Sequence, residues 1–433
     1  MIPILIIMQI ALLTCAIKEF IKNPYNFVAI FYLLYFVFYA LPGIDYYYDF
    51  GLFGKELLDM TILATTEKIV FYNIISFLIV AMFYYGYIQK SNIKNNKQID
   101  YKYDLNISNY YIIRNILIIA IMIIIMQSLI NYSGNIFLFF SLSRKSDIYS
   151  SEYIRIMSNY IPLILFIIKV QKDLIIFKKI KKNVIFNILL IFLMSISSGQ
   201  RRQIITNLIF ITITIISSKY HKLNLKSFMK KSRSKIIMLG IISIILIPLL
   251  WWGRTYSTQL QRGDTITIMP WERRGGVELI FGSSSTGFKT MLLMDRYKEI
   301  TNLNYGYPIK FFLSTPIPRT LYNDKPKMLV ELIEEYFSLK GNPSMFYINE
   351  LYMSFGIFSI IFSFILGRVM ATCYVSNICS DDIFRKIYAV IIISNILMLF
   401  KNGVVSFIIS CCTFFIMYYC TRRIIFTRKL RSD

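Results

Sequence analysis

Histidine is almost missing from this chain: its 433 residues include one, His221. That residue lies in a strongly basic stretch, SKYHKLNLKSFMKKSRSK, which leaves little scope for a serine–histidine pair or any other histidine base. Cysteine is scarce as well. Cys15, Cys373, Cys379, Cys411, Cys412 and Cys420 all fall in or beside apolar segments. A disulfide-stapled extracytoplasmic domain is thereby excluded. The cysteines form no C-x-x-C pair and no cluster with histidine, so zinc is not indicated. Acidic residues are half as many as basic ones, 24 against 48. No DxD motif is present to hold a metal and a nucleotide-sugar. Asp381 and Asp382 stand next to Arg385 and Lys386 and read as a solvated loop.

Apolar residues make up 56% of the chain, and they come in blocks of roughly 15 to 22, long enough to cross a bilayer as helices. The blocks are 2–17, 27–41, 69–88, 112–130, 153–170, 184–197, 204–217, 236–252, 346–369, 387–400 and 404–420. Blocks 184–197 and 204–217 are short, and a re-entrant hairpin is an alternative there. The first block has no basic segment before it and no small-residue cleavage site after it, so it is expected to span rather than to be removed. The net charge of +24 could suggest nucleic acid, but the basic residues sit in short loops between apolar blocks. That is the pattern of the positive-inside rule, not of a nucleic-acid surface.

Placing residues 89–110 inside and alternating from there puts every strongly basic loop inside. The inner side then holds about 28 Lys and Arg against about 7 Asp and Glu, and the outer side about 20 against about 17. The amino terminus is expected outside and the tail inside. His221 falls inside, which leaves no histidine for chemistry on the outer face. Inner loops are mostly lysine. The outer face carries Arg144, Arg155, Arg201, Arg202, Arg254, Arg262, Arg273, Arg274, Arg296 and Arg319. Lysine suffices to retain a loop, whereas an outer arginine calls for another reason. Its planar fork matches phosphate or carboxylate in a bidentate way.

One long interval, Gly253 to Asn342, lacks a membrane-length block. The chain therefore divides into helices over 1–252, a large outer loop over 253–345, and helices with a basic tail over 346–433. The loop and its surroundings hold Pro270, Pro308, Pro316, Pro318, Pro326 and Pro343 of the chain's 11 prolines, and with many aromatics they argue for an ordered loop. In SSGQRRQ, Arg201 and Arg202 sit at an outer helix end. They either clamp a lipid-linked pyrophosphate or snorkel to lipid phosphates. WERRGG sets Trp271, Arg273 and Arg274 in a turn that Gly275 and Gly276 open to close approach by a ligand; pairing with Glu272 is the alternative. Arg254 lies just beyond the membrane edge. TPIPRTLYNDKPK projects Arg319, Lys325 and Lys327 from a proline-stiffened frame, or is a plain connector. Asn323-Asp324 reads as the start and Gly341 as the stop of a short amphipathic surface helix. Glu278, Asp295 and Glu350 are the outer acids that could act as a base. Glu350 opens an apolar block, where an ionisable group is costly, and it either serves the substrate or pairs with an outer arginine.

These features together resemble the oligosaccharide repeat unit polymerases of bacteria, the Wzy-type O-antigen and capsule polymerases. The resemblance rests on SSGQRR at an outer helix end, on TPIPR and the KP of DKPK in the late outer loop, and on NELYMSFGIFS opening the next helix. It implies an all-α polytopic integral membrane protein of the bacterial cytoplasmic membrane, GT-C-like, with about 11 spans and one large extracytoplasmic loop. It also implies glycosyl transfer between undecaprenyl-pyrophosphate-linked oligosaccharides, with membrane lipid around the site and no metal or other cofactor. A chain-length regulator and a flippase would be partners; nucleic acid would not. Related O-antigen ligases carry an outer-loop histidine, which this chain lacks. On this reading Arg201 and Arg319 serve catalysis with Glu350 or Glu278 as base, while Arg202, Arg254, Arg273, Arg274, Lys325 and Trp271 bind substrate. Two other readings stay open. One is a different polyprenyl-linked sugar transferase using Asp45, Asp49 or Asp59. The other is a lipid-oligosaccharide flippase, against which the nearly charge-free blocks count.

Overall fold

The computed structural model describes residues 2–22, 26–48, 50, 65–91, 101–131, 152–197, 201–219, 286–292, 307–315, 317, 322, 324–327, 347–378, 380 and 382–430. In chain order these form α1 (Ile2–Lys22), α2 (Phe27–Tyr35), a π-helical segment (Phe36–Ala40), α3 (Leu41–Tyr48), α4 (Thr66–Ser91), β1 (Tyr101–Leu105) and α5 (Ile107–Asn131). Next come α6 (Glu152–Phe177), α7 (Val184–Ser197), α8 (Arg201–Lys219), α9 (Thr286–Leu292) and α10 (Tyr307–Ser314). The series ends with α11 (Tyr347–Phe355), a 3-10 turn (Gly356–Phe358), α12 (Ser359–Ile378), α13 (Ile383–Ser394), α14 (Ile396–Ile425) and β2 (Phe426–Leu430). The described residues are mostly helical, and among them 6 helical stretches are long and apolar enough to cross a membrane: Pro3–Ile21, Phe27–Tyr48, Thr66–Lys90, Ile107–Gln127, Tyr347–Ile378 and Asn402–Ile425. That many apolar helices mark a multi-pass membrane protein. Val184–Ser195 and Thr206–Ile215 are shorter apolar helices. α7, with 14 residues, is only about 21 Å long against a hydrocarbon core of about 30 Å. The block expected at 236–252 lies outside the described residues.

Several boundaries move. The second block was expected to end at Leu41, before Pro42, yet the helix runs through Pro42 to Tyr48. A proline inside a helix clashes with the carbonyl four residues back. Here the preceding turn is π-helical, and the Leu41 N–H bonds to the Phe36 carbonyl, which shifts the ladder before the proline arrives. Asp45, expected in an outer loop, is consequently buried in a helix. The ninth block is broken at Gly356, whose φ is 56°. The expected amphipathic helix does not start at Asp324, because Lys325 to Lys327 are irregular; most of its length lies outside the described residues.

The chain forms two compact units. The first comprises Met1–Lys94, Trp271–Ser376 and Asn395–Cys411. Its core is aromatic. Phe31 stacks on Phe83 with ring centres 4.2 Å apart, Phe400 meets Phe31 edge-on at 4.7 Å, and Tyr347 stands edge-on to both Phe31 and Phe83. Such pairs add about 0.5–1.5 kcal/mol each beyond burial. Asn26 caps α2 by accepting from the amides of Val28 and Ala29. α4 and α12 cross at two glycines. A Cβ on Gly86 would strike the Phe364 carbonyl oxygen, and one on Gly367 the Phe83 carbonyl oxygen. The Ser363 hydroxyl takes advantage of this closeness and donates to the Ile79 carbonyl at 2.6 Å.

The second unit comprises Asn95–Pro270, Asn377–Ser394 and Cys412–Asp433. Here α13 lies antiparallel to the end of α14, with Tyr388 against Phe415 and Tyr418 and Phe384 against Phe426. β2 pairs antiparallel with β1, from Tyr101 opposite Leu430 to Leu105 opposite Phe426. Asp382 ties these parts together. Its carboxylate caps α13 through the Phe384 amide at 2.8 Å and accepts the Tyr103 hydroxyl at 2.7 Å, while Arg422 donates to that hydroxyl at 2.9 Å. At the end of α6, Asp173 pairs with Lys169 at 2.6 Å and accepts the Lys181 amide, closing the turn into α7.

Because the α4–α12 crossing has no room for a side chain, Gly367→Val is expected to cost about 1–3 kcal/mol of stability. A thermal melt of the purified protein in detergent checks this; an unchanged midpoint would mean the crossing tolerates bulk.

Candidate functional site

Of the acids proposed as a base, Glu350 is the one whose side chain the structure describes. It lies in the first turn of α11, only 6% exposed. An ionisable group so placed requires donors. The backbone N–H of Val404 donates to its Oε2, and the Val405 amide also faces it. These amides are free to do so because the chain breaks just before them. Gly403 has φ 86° and ψ −179°, a conformation closed to residues with a Cβ, and α14 is two helices joined there. The helix that runs from Val404 to Ile425 begins with unpaired N–H groups and the positive end of its dipole, and both meet the Glu350 carboxylate. Glu350 was expected either to bind substrate or to pair with an outer arginine. What holds it in the described structure is backbone.

The residue before it is equally constrained. Asn349 is fully buried. Its Oδ1 accepts the Tyr39 hydroxyl at 2.9 Å, and its Nδ2 donates to the Gly287 carbonyl at 3.0 Å. Tyr39 belongs to the π-helical segment and stacks on Tyr35, whose hydroxyl accepts from Gln9 at 3.2 Å and lies 3.5 Å from the Ser76 hydroxyl. Two residues before Asn349, Tyr347 and Ser363 share a 2.5 Å hydrogen bond. α11 is thus fixed by side chains from several separate stretches.

The other sequence-predicted residues fare differently. Lys325 donates to the carbonyls of Thr315 and Ile317, both at 2.9 Å. It pins the proline-rich segment to the end of α10, which packs against α11, and one of its three donors is left for a ligand. Arg201 and Arg202 open α8, which packs against α7; their side chains lie outside the described residues. Beneath them Gln203 donates to Asn207 at 3.1 Å and Asn207 to Ser195 at 2.7 Å, fastening the two helices together. Arg254, Trp271, Arg273, Arg274, Glu278, Asp295 and Arg319 lie outside the described residues. Tyr39, Asn349 and Gly403 were not anticipated. The sequence did carry a trace of them: Asn349-Glu350 is a polar pair at the head of an apolar block, and Lys401-Asn402-Gly403 interrupts another.

This chain matches no protein-family model, no curated protein and no solved structure. The site is therefore read from its chemistry. A carboxylate with two backbone donors is oriented, is shielded from bulk water, and retains lone pairs for a hydroxyl that must lose a proton.

The turn can be tested alone. Gly403→Ala forces a Cβ into a glycine-only conformation and is expected to cost about 1–3 kcal/mol. A lowered unfolding midpoint, compared with the neighbouring Ser406→Ala, checks this; equal midpoints would place the strain elsewhere.

Proposed function

We propose that this protein polymerises lipid-linked oligosaccharide repeat units on the outer face of a bacterial cytoplasmic membrane, as a glycosyltransferase with about eleven spans, an outer amino terminus and an inner tail. The observation that carries this is the buried Glu350 carboxylate, oriented by the amides of Val404 and Val405. Beside it stand the sequence features: ten arginines on the outer side of the charge-balanced topology, and a 253–345 interval rich in proline and aromatics.

In this mechanism a sugar hydroxyl of one lipid-linked repeat unit attacks the anomeric carbon of the growing glycan. The bond from that carbon to the carrier's pyrophosphate breaks, and undecaprenyl pyrophosphate departs with the electron pair. Glu350 accepts the hydroxyl proton as the new glycosidic bond forms. The leaving group carries its own activation, so no nucleotide-sugar enters. Its developing charge falls to cationic donors, and Arg201 and Arg319 are assigned that role, with Arg202, Arg254, Arg273 and Arg274 assisting. The pyrophosphate would not sit on the Val404 helix end, because the Glu350 carboxyl already engages its first amide. Glu350 thus belongs with the acceptor, and the arginines with the carriers. Glu278 is the alternative base.

One set of observations supports a second reading, a lipid-oligosaccharide flippase. The apolar blocks are less clean inside than along the sequence: Gln9, Asn73, Ser76, Asn349 and Glu350 are all buried, and two helices break near the site, at Gly356 and Gly403. Buried polar groups and discontinuous helices also serve transport. A third, another polyprenyl-linked sugar transferase, draws on Asp45, now buried in α3.

Deleting the gene separates these readings. Collapse of the surface glycan ladder to a single repeat unit is expected. Loss of every surface repeat unit would favour the flippase. Restoring the gene with Arg201→Ala is expected to leave the protein inserted but the chains unextended; normal chain length would remove Arg201 from the mechanism. Cysteine labelling in intact cells checks the topology. A cysteine replacing Arg262 should react with an impermeant maleimide and one replacing Asn96 should not, and the reverse result would invert the protein.

A further inference from the structure

We infer that Tyr39 and Asn349 are positioning residues for Glu350, a lock that sets the rotation of α11 and so aims the carboxylate. The inference rests on the reading of Glu350 as the base, and adds two residues to which the sequence analysis assigned no role.

Asn349 and Glu350 are neighbours on one helix, so their side chains leave the axis about 100° apart. Whatever fixes Asn349 therefore fixes the direction of Glu350. Asn349 is held at both ends of its amide, by the Tyr39 hydroxyl at 2.9 Å and the Gly287 carbonyl at 3.0 Å. The two partners come from α9 and from the π-helical segment, distant in sequence from α11 and from each other. An amide with one acceptor and one donor satisfied in opposite senses tolerates little rotation. Glu350 is then delivered to the amides of Val404 and Val405.

The π segment gives Tyr39 its place. Phe36 to Ala40 hold one more residue per turn than an α-helix, which rotates everything after the bulge relative to α2. Tyr39 nevertheless stacks on Tyr35, with ring centres 6.1 Å apart and planes 15° from parallel. Tyr35 is itself fixed by Gln9 and Ser76. The chain of constraint runs Gln9 and Ser76 to Tyr35, Tyr35 to Tyr39, Tyr39 to Asn349, and Asn349 to the aim of Glu350. Single hydrogen bonds in such a buried network matter beyond their individual strength.

The experiment is a double-mutant cycle on the purified full-length protein in lipid nanodiscs, with a lipid-linked repeat unit as substrate. Tyr39→Phe removes the hydroxyl and keeps the ring. It is expected to lower turnover roughly 10- to 100-fold while KM moves less than about twofold. In a Glu350→Gln background the same change should add less than about twofold, because its effect passes through Glu350. A full, additive loss there would overturn the inference and leave Glu350 as base. Wild-type turnover in Glu350→Gln alone would overturn the reading beneath it as well.

A second readout does not depend on turnover. Dicyclohexylcarbodiimide labels carboxyl groups in apolar surroundings. Freed from its lock, Glu350 should label at least about fivefold faster in Tyr39→Phe and in Asn349→Ser than in the wild type, as judged by the mass of the peptide that carries it. Equal labelling in both variants, with unchanged melting midpoints, would overturn the inference.

Discussion

A carboxylate among helices survives only where fixed donors share its charge, and a helix that begins inside a protein needs something to accept its first amides. Here each need meets the other. Glu350 occupies the start of the final helix, and the Val404 amide answers it. For that start to exist the chain must stop and turn within a single residue, which is why Gly403 takes a conformation reserved for glycine. Once the turn is set, Phe400 on its near side reaches Phe31, Phe38 and Tyr347 and closes the aromatic core of the first unit. Packing and charge burial are thus one arrangement seen from two sides.

The same unit concentrates the departures from regular helix. The π segment over Phe36–Ala40, the break at Gly356 and the turn at Gly403 all belong to it. Each exposes backbone groups or re-aims side chains that an unbroken span would keep aligned. In lipid such irregularity is tolerated only where protein covers it or where it lines a polar cavity. The buried polar groups of this unit, from Gln9 to Glu350, are a cost that hydrophobic residues would avoid. The second unit also buries polar groups, among them Gln171, Asp173 and Asn207, and it fastens ends together through Asp173 at a turn and through Asp382 and Arg422 at the two-stranded ribbon.

Much of this was legible in the residues. Apolar length located the six helices that are long and apolar enough to cross a membrane among the described residues, since bilayer thickness acts on composition directly. Glu350 stood out as an acid at the head of an apolar block. What could not be read was local. Proline at position 42 ordinarily ends a helix, and nothing in the sequence announces that a π turn just before it will carry the helix on to Tyr48. The apolar run around Phe400 looked like one block followed by another; only the φ of Gly403 shows how sharply they join. Lys325 looked like a free cation, because its two carbonyl partners are backbone and leave no mark in composition. Tyr39 and Asn349 meet across some 310 positions, a pairing that no periodicity carries.

In the proposed mechanism Glu350 takes a proton as a glycosidic bond forms. The most direct test is stoichiometric. Purified protein in nanodiscs, given a lipid-linked repeat unit and no nucleotide-sugar, should build a ladder of oligomers. It should release one undecaprenyl pyrophosphate for each new linkage and one proton to the buffer in each turnover. Lipid-linked substrate that is never joined, with no carrier released, would contradict the account and leave Glu350 as a structural cap.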